Sequence, residues 1–140
     1  EARCGKGQAR VRGTLAQQLP PGGSTTLKAD TLVVGEGWVA QAGATPKGLF
    51  YGLRNNGTVC ITSPCPSFDQ TLVNLRLPPL KVAEVDLAAS GAPQEAVDAG
   101  YRALEAGILA TGSNKVVTGP GGRGIGFTAT EFYLRFMPKQ

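Results

Sequence analysis

The sequence of 140 residues contains no histidine. This absence excludes Ser-His-Asp and Cys-His catalysis, zinc sites that use histidine, and haem held by an imidazole. It also removes the side chain that most often transfers protons near neutral pH. No Walker sequence is present, and no other catalytic motif is supported. We therefore expect a protein that is not an enzyme and that uses no cofactor and no metal.

Aromatic residues and long apolar runs are also scarce. The chain has five Phe, three Tyr and one Trp against twenty Gly and ten Pro, which predicts many turns and a modest aromatic core. No apolar run approaches the roughly 18 residues of a membrane span. The length suits one domain. We predict a single domain over residues 1–140, with residues 1–7 as a disordered N-terminal segment.

The net charge of +4 is unevenly distributed. Residues 1–54 carry seven Lys or Arg against three acids, residues 55–111 carry three against six, and residues 112–140 carry four against one. The basic side chains occur singly, without the runs typical of proteins that bind nucleic acid or anionic lipid. We interpret them as ordinary solvated surface, and nucleic-acid binding is not favoured.

Two of the three cysteines lie close together, as Cys60 and Cys65 in Cys-Ile-Thr-Ser-Pro-Cys. Two or three thiolates without histidine leave a zinc shell short of ligands. The spacing is not that of a Cys-x-x-Cys redox pair. We predict a structural disulfide, and with it an oxidising compartment, so that the protein is secreted or periplasmic with its signal peptide already removed. Cys4 is then free, pairs with another chain, or replaces one of the two in the bridge.

Most of the chain is typical of short strands separated by turns. Asn55-Asn56-Gly57 is the strongest hairpin signal and predicts a return strand over residues 58–62. Further strands are predicted over residues 8–19, 25–34, 71–77, 81–87, 115–118 and 125–137.

One helix is predicted from about residue 93 to residue 106. Pro93 suits the first helical position, and Gly107 suits the position after the last turn. An apolar stripe recurs at helical spacing through Val97, Tyr101, Leu104 and Ile108. The fold class is therefore α+β, a mainly antiparallel sheet of short strands packed with one helix.

Residues 119–124, Gly-Pro-Gly-Gly-Arg-Gly, match the Gly-x-Gly-x-x-Gly pattern of dinucleotide sites. That pattern binds pyrophosphate when it leads from a strand into a helix. Here it leads into a strand-like segment. We interpret the run as a glycine-rich hairpin loop.

Two pairs of carboxylates are spaced for one strand face, Glu84 with Asp86, or for one helical turn, Glu95 with Asp98. Glycosidases use such pairs for acid–base chemistry. An exposed strand face and a charged first helical turn explain them more simply. A carboxylate-based hydrolase is the least favoured function.

The residues between the paired cysteines, Ile61, Thr62, Ser63 and Pro64, form the candidate binding loop. A short bridged loop is convex and preorganised, which lowers the entropic cost of docking into a cleft. Small protease inhibitors use such loops, and Thr62 and Ser63 are then the exposed pair. The simpler alternative is a bridged hairpin end without a partner.

The stretch from about residue 51 to residue 135 resembles a family of short secreted bacterial proteins and lipoproteins that is known only as a domain of unknown function. The resemblance depends on Leu53-Arg54-Asn55, the two cysteines, residues 82–87, the Ala-Leu-x-x-Gly pattern ending at Gly107, and residues 126–132. It implies an extracytoplasmic location, no established activity and no functional residue. Family members carry Gly-Gly after the second cysteine and further cysteines downstream. Pro66-Ser67 and the lack of later cysteines depart from that, so the disulfide pattern stays open.

We therefore expect a non-catalytic extracytoplasmic binding protein with a protein partner, for example a protease that the Cys60–Cys65 loop inhibits. The alternative is a structural component of a bacterial envelope or extracellular coat, linked through Cys4. The oligomeric state is open.

Overall fold

The computed structural model describes residues 9–18 and 29–136, so the predicted disordered segment 1–7 and Cys4 lie outside the described residues. Within them the protein has a mainly antiparallel sheet and one α-helix, which confirms the predicted α+β class. In chain order the elements are β1 (Ala9–Gln18), β2 (Ala29–Ala40), β3 (Phe50–Asn55), β4 (Phe68–Leu72), β5 (Leu80–Val82), β6 (Glu84–Asp86), a 3₁₀ helix (Ala88–Ser90), α1 (Gln94–Ala103), β7 (Ile108–Gly119) and β8 (Gly122–Phe136).

The sheet closes part of itself into a ring. Its strands follow the order β1-β2-β8-β7-β3-β4-β5, and each of these pairings is antiparallel. Only Ala83 separates β5 from β6, and β6 pairs with β8 in parallel. Residues 80–86 therefore join β4 on one side to β8 on the other. The ring consists of β3, β4, the β5–β6 stretch, β8 and β7.

The hydrophobic core lies inside this ring and under the helix. Strand β8 contributes Phe127, Ala129 and Phe132 to the core. The core positions change from odd-numbered to even-numbered residues between Ala129 and Phe132. The change occurs because the pairing of β7 with β8 shifts register and leaves Thr130 as an extra residue, a β-bulge. The remaining buried core residues are Leu53, Val82, Val85, Leu87, Val97, Leu104, Ile108 and Ala110.

The helix begins and ends close to its predicted limits. Pro93 occupies the N-cap position, and Gly107, at φ 111°, redirects the chain into β7. The predicted apolar stripe is wrong at Tyr101, which is 43% exposed. Its hydroxyl donates to the Val85 carbonyl oxygen (3.0 Å) and accepts from the Leu87 amide (3.2 Å), since a phenol needs polar partners that a core does not offer. Tyr101 therefore joins the helix to the end of β6.

The predicted return strand over residues 58–62 is wrong. Asn55 pairs with Phe68, and no strand lies between them. The side-chain oxygens of Asn55 and Asn56 accept hydrogen bonds from the Gly57 amide (2.8 Å) and the Thr58 amide (2.9 Å). These local turns compete with strand pairing, so the chain leaves the sheet for twelve residues.

Two other strand limits also differ from the prediction. The strand predicted over residues 71–77 ends at Leu72, and Asn74 adopts a positive φ of 68° soon after. Strand β7 runs without a break to Gly119, and β8 starts at Gly122. The glycine-rich loop is therefore a tight hairpin turn, shorter than predicted. Across the described residues, no helix has the length and apolar character needed to cross a membrane.

Candidate binding loop and its support

The predicted disulfide between Cys60 and Cys65 is present, with the two Cα atoms 5.6 Å apart. It lies within the twelve residues between β3 and β4, which we call the cysteine loop (residues 56–67). Cys65 is half-buried, and Cys60 is exposed. The bridge therefore closes the loop at the protein surface.

Hydrogen bonds close the base of the loop below the disulfide. The Asn56 amide donates to the Ser67 carbonyl oxygen (2.8 Å). The side-chain nitrogen of Asn56 donates to the Pro66 carbonyl oxygen (2.9 Å) and to Oδ1 of Asp69 (3.1 Å). Asn56 begins the loop, and Pro66 and Ser67 end it, so these hydrogen bonds join the two ends of the loop. The cysteine loop therefore leaves the sheet in a defined direction.

The turn of the β7–β8 hairpin supports the other side of the loop. The Gly121 amide donates to the Ser63 carbonyl oxygen at 2.8 Å. A Cβ atom added at Gly121 would lie 2.6 Å from Thr62 Oγ1, and one added at Gly119 would lie 2.6 Å from the Ser63 carbonyl oxygen. Side chains at these positions would displace the loop. The Gly-x-Gly-x-x-Gly run is thus a packing surface for the cysteine loop, which agrees with its interpretation as a hairpin.

The four predicted binding residues differ in how far they are presented. Ile61 is fully exposed (104%), and Thr62 and Ser63 are exposed as well. Pro64 is half-buried and faces Gly124, where an added Cβ would lie 2.9 Å from the proline Cγ. The residue that sequence reasoning missed is Val59, which is 93% exposed. Val59 was missed because the hairpin pattern predicted a strand over residues 58–62, in which an apolar side chain is expected to face the core.

A charged contact lies at the foot of the loop. Lys81 Nζ is 2.6 Å from Asp69 Oδ1, the oxygen that also accepts from Asn56. The hydrogen bonds from Lys81 and Asn56 hold the pKa of Asp69 below its usual value. The loop is therefore anchored to an ionised carboxylate on β4.

The candidate catalytic carboxylates each have a local role or position. Glu84 forms a salt bridge with Lys115, with 3.5 Å between Oε1 and Nζ. Asp86 accepts a hydrogen bond from the Ala89 amide (3.1 Å) at the start of the 3₁₀ helix. Asp98 accepts from the side chain of Gln94 (2.9 Å). Glu95 is exposed in the first turn of α1. Within the part of the chain that the structure describes, no group of three or more Cys, Asp or Glu is placed to hold a metal ion.

A buried carboxylate that the sequence did not reveal lies on β8. Glu131 is fully buried, and one of its oxygens accepts from the amides of Gln41 (3.2 Å), Ala42 (2.7 Å) and Phe132 (2.9 Å). Its second oxygen accepts from the Ala44 amide at 2.8 Å. Four backbone donors satisfy the carboxylate, so Glu131 fixes the path of the chain as it leaves β2.

Comparison with known families identifies the chain at the level of a family. The family model described as a domain of unknown function, DUF6748, matches residues 2–139. The chain belongs to this family. No curated protein and no solved structure shows significant similarity to the chain. The match to DUF6748 is longer than the resemblance over residues 51–135, and it includes the first two strands.

Proposed function

We propose that this member of DUF6748 is a non-catalytic extracytoplasmic binding protein that presents the cysteine loop to a protein partner. The observation that carries the proposal is the exposure of two large apolar side chains, Val59 (93%) and Ile61 (104%), on a segment whose backbone is held in place. Apolar side chains that enter a pocket on a partner often dominate the binding free energy.

The support beneath the loop is what makes these side chains effective ligands. The disulfide, the Asn56 hydrogen bonds and the Gly121–Ser63 contact order the loop before any partner binds. Since these contacts are made within the free protein, binding costs less conformational entropy than it would for an unsupported loop. The exposed disulfide also supports the proposed location in an oxidising compartment.

In the most specific form of the proposal, the partner is a protease that the cysteine loop inhibits. The Gly121 amide donates to the Ser63 carbonyl oxygen and so holds the backbone of Ser63 against the turn between β7 and β8. The fully exposed Ile61 is the side chain that enters the specificity pocket in this version. Ile61 therefore takes the role that the sequence pattern alone assigned to Thr62 and Ser63.

The test is inhibition of a panel of serine and cysteine proteases by the wild type, by Ile61→Asp and by Leu77→Asp. Leu77 is a matched control because it is also an exposed apolar residue (56%) but lies outside the cysteine loop. We expect Ile61→Asp to abolish inhibition and Leu77→Asp to preserve it. Absence of inhibition by the wild type would contradict the protease version.

The broader proposal has a separate test. Affinity capture from an extracytoplasmic fraction, with each of the same three proteins immobilised, should recover a partner that Ile61→Asp loses and Leu77→Asp retains. A set of bound proteins that is identical for all three would contradict a role for the loop.

One observation favours the alternative, a structural component of an envelope or coat. Residues 29–36 of β2 pair only with β1 among the described residues, and β1 has no further strand beside it there. A two-stranded ribbon with an open edge accepts strands from other chains. Non-reducing electrophoresis tests the linkage through Cys4: a species that stays monomeric in the wild type and in Cys4→Ser would contradict it.

A further inference from the structure

A groove of about 380 Å³ lies across four strands on the face of the sheet that points away from the core. It is distinct from the exposed tip of the cysteine loop. The side chains and backbone that line it include Trp38 on β2, Gly52 and Arg54 on β3, Asp69 and Thr71 on β4, and Leu109 on β7.

The groove exists because β3 has a glycine at its centre. Gly52 pairs with Thr71 on one side and with Leu109 on the other, so these three positions share one face. A Cβ atom at Gly52 would lie 2.9 Å from Thr71 Oγ1. The missing side chain leaves a depression between apolar groups at one end and charged groups at the other.

The charges at the polar end do not balance. Arg54 and Asp69 are cross-strand partners, but Asp69 Oδ1 is occupied by Lys81 and Asn56. The charge of Arg54 contributes to the lowered pKa of Asp69, but within the described residues its guanidinium forms no hydrogen bond and no salt bridge. Two cations therefore face one carboxylate, and the planar donors of Arg54 remain available to an anion.

We propose that this groove binds a small organic acid whose carboxylate is attached to a six-membered ring. A guanidinium matches a carboxylate with two parallel hydrogen bonds. Trp38 and Leu109 offer an apolar wall for the ring, and the Thr71 hydroxyl offers one further polar contact. The volume lies near the lower end of the range of about 300–1,000 Å³ for small-molecule sites, which suits one ring.

Two sources supply this chemistry, a uronic sugar and an aromatic acid. Trp38 is the only tryptophan in the chain, so its fluorescence and its indole N–H resonance both report on the groove. Galacturonate and benzoate are titrated separately, with galactose and benzamide as their neutral counterparts. We expect one of the acids to give a saturable change with a Kd near or below about 1 mM, and its neutral counterpart to bind at least about ten times more weakly. The acid that saturates identifies the source.

The variant that tests the site is Arg54→Gln, with Arg76→Gln as the matched control because Arg76 is exposed and does not line the groove. We expect Arg54→Gln to weaken binding of the acid at least about tenfold and Arg76→Gln to leave it unchanged. Circular dichroism confirms that both variants fold. The proposal is overturned if neither acid gives a saturable change, if the neutral counterpart binds equally well, or if Arg54→Gln binds as the wild type does.

Discussion

The two connections that flank β3 are held in place by different kinds of contact. Residues 41–49 precede the strand, and their first residues donate backbone hydrogen bonds to the buried Glu131 of β8. The cysteine loop comes after the strand and is closed on itself by a disulfide at the surface. The first connection is therefore held by a buried side chain of β8, whereas the second is held by contacts at the protein surface. Side chains exposed on the second connection are therefore free to serve binding.

The largest expected effect tests the first connection through Glu131→Gln. Glutamine offers one acceptor oxygen and places an NH₂ donor against backbone donors, so several charge-assisted hydrogen bonds are lost in a buried site. We expect the free energy of unfolding to fall by about 2–4 kcal/mol in chemical denaturation. The exposed Glu95→Gln is the control, with a change below about 0.5 kcal/mol. Equal changes in the two variants would contradict an anchoring role.

A smaller effect is expected when the second connection is opened. Replacing both Cys60 and Cys65 by serine, in a Cys4→Ser background, removes the closure of a six-residue loop and should cost about 2 kcal/mol. Amide exchange should accelerate at Gly121, whose donor contacts the loop, but the near-ultraviolet circular dichroism of the core aromatic residues should persist. Loss of that signal would show that the loop and the core are not independent.

The smallest effect concerns the foot of the cysteine loop. The folded protein holds the pKa of Asp69 below its ordinary value of 3.8, first through Lys81 and then through Asn56. Because the folded pKa is lower than the unfolded one, the stabilisation is fully present above the unfolded value. It is lost as the pH falls through the folded value.

Asp69→Asn should therefore be less stable than the wild type near pH 6, and the difference should shrink as the pH is lowered below about 4. Denaturation at several pH values between about 2 and 6 measures it. A difference between the two proteins that stays constant across this range would show that the carboxylate charge is not what stabilises the foot of the loop.

The sequence predicted correctly those features whose interactions join residues close together in the chain. The helix was indicated by its apolar spacing, and the Cys60–Cys65 disulfide by the short separation of the cysteines. The return strand failed because Asn-Gly marks a turn without determining the conformation of the next residues, and the asparagine side chains favour local hydrogen bonds.

The bulge at Thr130 is visible in the sequence as a break in the two-residue alternation of apolar positions along β8. Apolar residues occupy odd positions at Phe127 and Ala129 but an even position at Phe132, so the strand must gain one residue between them. That shift turns Glu131 to the face of the sheet opposite Phe132, where residues 41–44 cover it. Its partners at residues 41–44 lie about ninety residues away in sequence, and no local pattern indicates them. No local pattern indicates the groove beside Trp38 either, since its lining comes from β2, β3, β4 and β7, which only the folded sheet brings together.

The position of β8 in the ring also constrains the order of folding. Strands β2, β6 and β7 all pair with it, yet it is the last of the described strands in chain order. A growing chain that has reached only Gly119 cannot bury Phe127 or Phe132 and has no partner for β6. Contacts between distant segments form late because closing long stretches of chain is entropically costly. Productive folding of this protein should therefore come after synthesis of β8 instead of keeping pace with translation.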